Sequence, residues 1–281
     1  YATLLLAQMG AEVVKVERPG GETMRKVGPL DSDGISAFYK TMNAAKTIVE
    51  LGLKDEPGRD TFASLLENAD VLVESFRPGV LERLGFGPGQ LREKYPRLIV
   101  CSISGFGQNG PYRLRPGHDI NYLALSGMLG GTGTIDSPIA PSPPVSDYAS
   151  GMQAAATVLA AIVSRYQTNQ GAYLDVSMAD TVLAWHSTAI SNVSRTGYPL
   201  GRGEGVETGA MADYGVYATA DERFISLGAE EPHFWENFCN AVTHPEWIER
   251  HADPVPQTEL IAEVAEMFAS QPLARWRDTL D

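Results

Sequence analysis

Two residues stand out as proton carriers placed at helix starts. His118 follows Pro116-Gly117 and opens a short helical run with Asp119 beside it. Asp147 lies at the head of a long apolar helix, in Val145-Ser-Asp-Tyr-Ala-Ser-Gly151. An imidazole titrates near ~6.5 and a carboxylate near ~4, so the two together can remove and return protons close to neutral pH. Backbone N–H groups at a helix start can also hold a developing oxyanion. Each residue has a plainer reading. A lone His is usually structural or merely exposed. Asp147, from local sequence alone, is a helix N-cap, accepting backbone N–H bonds and kept ionised by the helix end. Glu231 is equally double, because it precedes Pro232 and a helix.

Three arginines suit an anionic ligand. Arg18 directly follows the apolar-acidic run at 12–17, and Arg77 follows the run at 71–76 with Arg83 close behind. Ligands of open α/β sheets bind beyond the carboxyl ends of the strands, and a guanidinium there meets phosphate well. A solvated surface arginine is the alternative. Glu17, closing the run at 12–17, resembles the acid that holds a ribose in dinucleotide folds. The glycine-rich loop that should precede its helix is not present, and the run 127–133 (GMLGGTG) follows no strand, so it reads as a flexible loop. The signature of an NAD enzyme is therefore incomplete. No HExxH, GxSxG, phosphate-binding P-loop or metal-spaced Cys/His set occurs, and the five histidines are scattered, so no metal is expected.

The elements that must carry these residues alternate. Helices are expected at 1–9 and 57–68, and strands at 12–17, 71–73 and 98–100, the last two looking buried on both faces as parallel strands are. A helix at 119–126, a long one from Ser146 or Asp147 to about Tyr166, a strand at 172–176 and a helix at about 179–189 follow. This pattern predicts a doubly wound α/β large domain over 1–192. Residues 193–212 hold five Gly and few large apolar side chains and read as a linker. Residues 213–281 read as a smaller α+β domain: a hairpin over 214–227 turning at Ala220-Asp221, then helices at 232–242, 257–269 and after Pro272.

The 281 residues carry 22 basic and 35 acidic side chains, a formal charge of -13. That balance argues against nucleic acid or anionic lipid as partner, since both need a basic face. Cys101 and Cys239 form no pair spacing, which fits a reducing compartment and a cytoplasmic setting. No apolar run reaches transmembrane length.

Several long runs resemble the class III CoA-transferase family. They are Leu6-Ala-Gln-Met-Gly-Ala-Glu-Val-Val-Lys-Val-Glu-Arg-Pro-Gly20, the stretch 69–85 (ADVLVESFRPGVLERLG) and the stretch 96–111 (PRLIVCSISGFGQNGP). The resemblance covers nearly the whole chain and implies an α/β large domain, a smaller domain and an interlocked homodimer. Family members are longer, so a short start and a C-terminal return segment are expected outside this sequence. It implies no tightly bound cofactor, with coenzyme A entering as part of an acyl-CoA substrate. The run Gly117-His-Asp-Ile-Asn-Tyr-Leu-Ala-Leu-Ser-Gly127 is similar to the racemase branch, and Gly228-Ala-Glu-Glu-Pro-His-Phe234 resembles the segment that supplies a glutamate there, falling on Glu231. Arg18 and Arg83 match arginines that contact coenzyme A, and Arg77 is a weaker match. Gly52 stands where the family has Asp in the strand before Lys54, and 207–214 replaces a glycine-rich stretch ending in an aromatic residue.

What the resemblance implies is inversion at the 2-position of 2-methylacyl-CoA thioesters. That reaction needs an acid/base group on each face of the carbon, and His118 with Asp147 would supply them. Asp119 joins the catalytic set, and Glu231 would orient and charge-balance His118. Two alternatives stay open. A transferase would use Asp147 alone as nucleophile, forming an aspartyl anhydride, and a non-catalytic CoA-binding paralogue would use neither.

Overall fold

Valine-rich runs bounded by turn residues become short parallel strands in the computed structural model, which describes residues 1–280. Asp281, the last residue of the expected small domain, lies outside them. The chain groups into two units, Tyr1–Ser126 with Pro141–His186, and Gly127–Ala140 with the residues from Ser187 onward.

The first unit begins with helix α1 (Ala2–Gln8), strand β1 (Val13–Glu17), helix α2 (Ala37–Met42) and strand β2 (Lys46–Glu50). Next come α3 (Glu56–Glu67), β3 (Val71–Glu74), α4 (Val80–Arg83), α5 (Pro88–Lys94), β4 (Ile99–Ser104) and α6 (Asp119–Leu125). The segment 127–140, which groups with the second unit, carries one helical turn, α7 (Met128–Gly131). The glycine-rich run there is thus part helix rather than all loop. The first unit resumes with α8 (Val145–Thr168), β5 (Tyr173–Ser177) and α9 (Met178–Trp185).

Every strand contact in this unit is parallel, as expected, but the described strands form two sheets rather than one doubly wound sheet. β1 pairs with β2, and separately β3, β4 and β5 pair in that order. β4 is buried along nearly its whole length because α8 covers it, whereas β3 is only half-buried, short of the two-sided burial its composition suggests. Two apolar cores result. One joins Leu6, Cys101, Ala155 and Val158. The other joins Phe62, Leu66, Leu91 and Val100. Gly52 follows β2 rather than lying in a strand. An added Cβ there would sit 2.3 Å from Asp55 Oδ2. The Asp55 carboxylate in turn accepts the Gly58 N–H at 2.9 Å to cap α3, so a side chain at 52 would have to displace that cap.

The second unit holds α10 (Ser187–Thr196), the antiparallel hairpin β6 (Tyr214–Ala218) and β7 (Phe224–Gly228), then α11 (Pro232–Ala241), α12 (Thr258–Ala269) and α13 (Leu273–Leu280). The helix expected at 179–189 instead breaks at His186. The glycine-rich stretch read as a linker contains the end of α10 and a 3₁₀ turn at Val206–Thr208. Trp235, Phe238, Leu260, Phe268 and Trp276 form the core of this unit. No described helix is long and apolar enough to cross a membrane.

Candidate active site

His118 occupies the N-cap position of α6, with extended backbone (φ -125°, ψ 173°). Its own N–H donates to Asn121 Oδ1 at 2.9 Å, which fixes the turn, while the imidazole is exposed and has no hydrogen-bond partner among the described residues. Proline and glycine at 116–117 keep the preceding chain out of helix, so α6 can only start here.

Helix α8 begins at Val145, which places Asp147 in the first turn rather than at the N-cap. The acid that caps this helix comes from elsewhere. Asp119 Oδ1 accepts the Ser146 N–H at 2.7 Å and the Ser146 hydroxyl at 2.6 Å. Asp119 is itself in the first turn of α6, so one carboxylate ties the two helix starts together. With that task taken, the Asp147 carboxylate makes no hydrogen bond among the described residues. It is exposed on one side, yet surrounding protein desolvates it enough to push its pKa up. The Asp119 charge adds to the rise, and His118 opposes it. Asp147 is therefore an under-satisfied acid in electrostatic reach of an unpartnered imidazole.

The expected arginines behave as free surface cations. Arg18 follows β1 and uses only its Nε, donating to Gly21 O at 3.0 Å. Arg77 lies beyond the end of β3 and Arg83 closes α4; both are exposed and neither makes a side-chain hydrogen bond or ion pair among the described residues. Glu17 does not face a ligand. It is buried by Tyr39, Arg25 and Lys15, which removes it from any ribose-binding role. Glu231 stands in the second unit at the N-cap of α11, exposed, with no side-chain cap bond, so the plain capping reading fails for its carboxylate. Among the described residues no three His, Cys, Asp or Glu side chains are grouped to hold a metal ion.

The whole chain, residues 1–281, matches the family description CoA-transferase family III. The chain belongs to CoA-transferase family III. Relatives in this family include acetyl-CoA:oxalate CoA-transferase of Acetobacter aceti, 34% identical over 289 residues, covering 100% of this chain and 74% of the relative. Human succinyl-CoA:glutarate CoA-transferase is 31% identical, covering 98% and 64%. Human alpha-methylacyl-CoA racemase is 31% identical, covering 100% and 71%. Family III structures agree. A crystal structure of the Rv3272 protein of Mycobacterium tuberculosis superimposes with TM-score 0.84 at 29% identity, covering 99% of this chain and 76% of that one. A family protein from Brucella suis gives 0.83 at 25%, covering 99% and 76%. The family III chain thus spans about two thirds to three quarters of its relatives' length.

Two features of the candidate site escaped the sequence. The Asp119–Ser146 tie joins residues far apart in the chain, and no local pattern announces it. Tyr122, whose hydroxyl holds the Gly117 carbonyl just before His118, reads in sequence as one more apolar helix position.

Proposed function

We propose that this acyl-CoA enzyme inverts the 2-position of 2-methylacyl-CoA thioesters by two-base proton transfer between His118 and Asp147. One observation carries the reading: both groups sit at helix starts linked by the Asp119–Ser146 bonds, and neither side chain is consumed by a structural partner. A raised Asp147 pKa moves that carboxyl toward the range of an imidazole, as acid and base partners require. One group removes the proton next to the thioester carbonyl, the other returns a proton to the opposite face, and the enolate oxygen is held by N–H donors in between. Arg18, Arg83 and, more weakly, Arg77 bind the phosphates of the coenzyme A part of the substrate, with no tightly bound cofactor. Glu231 reaches His118 from the partner chain of an interlocked homodimer and charge-balances it. An active monomer in sedimentation removes that part.

Transfer of coenzyme A is the second reading, favoured by the names of the transferases above. There the Asp147 carboxylate attacks the thioester carbonyl, the C–S bond breaks, and coenzyme A leaves as thiolate from an aspartyl anhydride. Proton NMR of a 2-methylacyl-CoA in deuterium oxide separates the two. Exchange at the 2-position that is lost in His118→Ala supports racemisation. Coenzyme A exchange with a carboxylic acid that survives His118→Ala supports transfer.

A further inference from the structure

The His118 ring has no hydrogen-bond partner among the described residues, so its direction depends on how the start of its seven-residue helix is held. One helical turn on from His118 lies Tyr122, 6% exposed. The Tyr122 hydroxyl turns back along the helix and donates to the Gly117 carbonyl at 2.8 Å, immediately before His118. Its ring is wedged between two glycines. A Cβ added at Gly105 would lie 2.4 Å from Tyr122 Oη, and one at Gly117 would lie 2.7 Å from its Cε1. Phe106 closes on it edge-on with centroids 5.1 Å apart, and Tyr112 packs edge-on against Phe106 at 5.8 Å. The two ends of the one loop between β4 and α6, at Gly105 and Gly117, are therefore held against one phenol.

We infer that Tyr122 is a positioning residue, whose wedged ring and hydroxyl clamp the Gly117 carbonyl and so set the direction of the His118 imidazole. This rests on the proton-transfer reading, and Tyr122 itself moves no proton in it. Burial, and after it the Asp147 charge, push the phenol's pKa up, which keeps the hydroxyl protonated as a donor across the working range. Misplacing a proton carrier by about 1 Å costs up to about 100-fold in rate. Loss of one anchoring hydrogen bond with the ring retained should cost less than that.

The test uses Tyr122→Phe, which removes only the hydroxyl, with Tyr122→Leu as the larger change. Imidazole resonances of isotope-labelled protein are recorded without substrate, and kcat and KM for 2-position exchange are measured on the same batch. In Tyr122→Phe the His118 resonances should shift or split while the other four histidines stay put. The value of kcat should fall about ten-fold with KM within about two-fold. Tyr122→Leu should lose more. Unmoved His118 resonances with unchanged kcat in Tyr122→Phe overturn the inference, as does a lowered melting temperature with both of those readouts intact. If the resonances move but the wild-type protein exchanges no 2-position proton, the clamp stands and the proton-transfer reading fails.

Discussion

Glu17 and Asp147 are both acids at element ends in the same unit, and their surroundings treat them in opposite ways. Burial alone would raise the Glu17 pKa. Instead, hydrogen bonds from Tyr39 Oη at 2.5 Å and Arg25 Nε at 2.8 Å, with Lys15 at 3.1 Å, outweigh it and pull the acid from 4.5 to about 2. Tyr39 pays the other side of that contact by rising to about 12, through burial first and Glu17 next. Asp147 receives no such bonds and is pushed up. The first acid has its lone pairs filled and can only hold structure. The second keeps its lone pairs open and can only be explained by something that arrives. An acid's chemistry is thus decided by whether neighbours satisfy it, not by its place at the end of a strand or helix.

The largest effect that would break this contrast is on turnover. Asp147→Asn loses no hydrogen bond and keeps the side chain's size, so its melting temperature should stay close to wild type. Its exchange activity should fall at least ~100-fold, the usual loss for removing a general base. His118→Ala should do the same. A stable Asp147→Asn protein with more than a tenth of wild-type activity sinks the role given to that acid in both readings.

Glu17→Gln should show the reverse pattern, mostly stability and little chemistry. Breaking a buried ion pair leaves Arg25 uncompensated, while Lys15 keeps Glu22, and costs about 3 kcal/mol, visible in urea unfolding. The pH dependence follows from the depressed pKa. The folded state releases this proton more readily than the unfolded chain. Its stabilisation is therefore full above 4.5 and fades as pH falls through about 2. Asp147 has the opposite sign: its raised pKa favours the folded state at acid pH, and that contribution fades as pH rises past 3.8 and on through the raised value. Urea midpoints from about pH 2 to 6 should accordingly steepen their acid loss in Asp147→Asn and flatten it in Glu17→Gln. Equal slopes in the two variants would erase the comparison.

Much of this was legible in sequence where the signal was local. β1, α8 and the hairpin follow from alternating or helical apolar spacing, and the structure keeps them within a residue or two. β2 was expected only through the resemblance, as the strand before Lys54, because its run, Lys-Thr-Ile-Val-Glu, follows alanines with no Gly or Pro to mark a turn. Ala45 takes the left-handed conformation (φ 60°) that a glycine would have advertised. His118 and Asp147 were visible as residues at helix starts. Their relation was not, because it runs through Asp119 to Ser146, and Asp147 looked like a cap until another acid proved to hold that place. The Glu17 cluster was hidden for the same reason: Tyr39 and Arg25 reach it from separate loops and helices.

A smaller effect concerns the ligand. Arg83 is exposed and unpaired among the described residues, so Arg83→Ala has no structural bond to lose and should leave stability unchanged. A charge-assisted phosphate contact contributes about 1.5–3 kcal/mol, so coenzyme A binding should weaken roughly ten-fold or more in calorimetry. An unchanged affinity takes Arg83 out of the ligand's path and leaves Arg18 to carry it.

The smallest effect extends the contrast from acids to amines. Lys15 is satisfied: its Nζ meets Glu17 at 3.1 Å and also Glu22. Lys46, at the start of β2, meets only Asn43 Oδ1 at 3.2 Å, with no carboxylate in ion-pair range among the described residues. Burial first, and then repulsion from Lys15, bring its pKa from 10.5 down to about 8, against a smaller pull from Glu22. A lysine whose folded pKa is depressed costs stability while it must stay charged. That cost is present below about 8 and fades as pH rises from there through 10.5. Lys46→Met should therefore raise the urea midpoint at pH 7, by about 0.5 kcal/mol once its partial exposure is allowed for, and the gain should vanish near pH 10. Lys15→Met should lower the midpoint at pH 7, because it strips a donor from Glu17. If both substitutions destabilise alike at pH 7, Lys46 has a counter-charge after all, and satisfaction by neighbours no longer separates the two lysines.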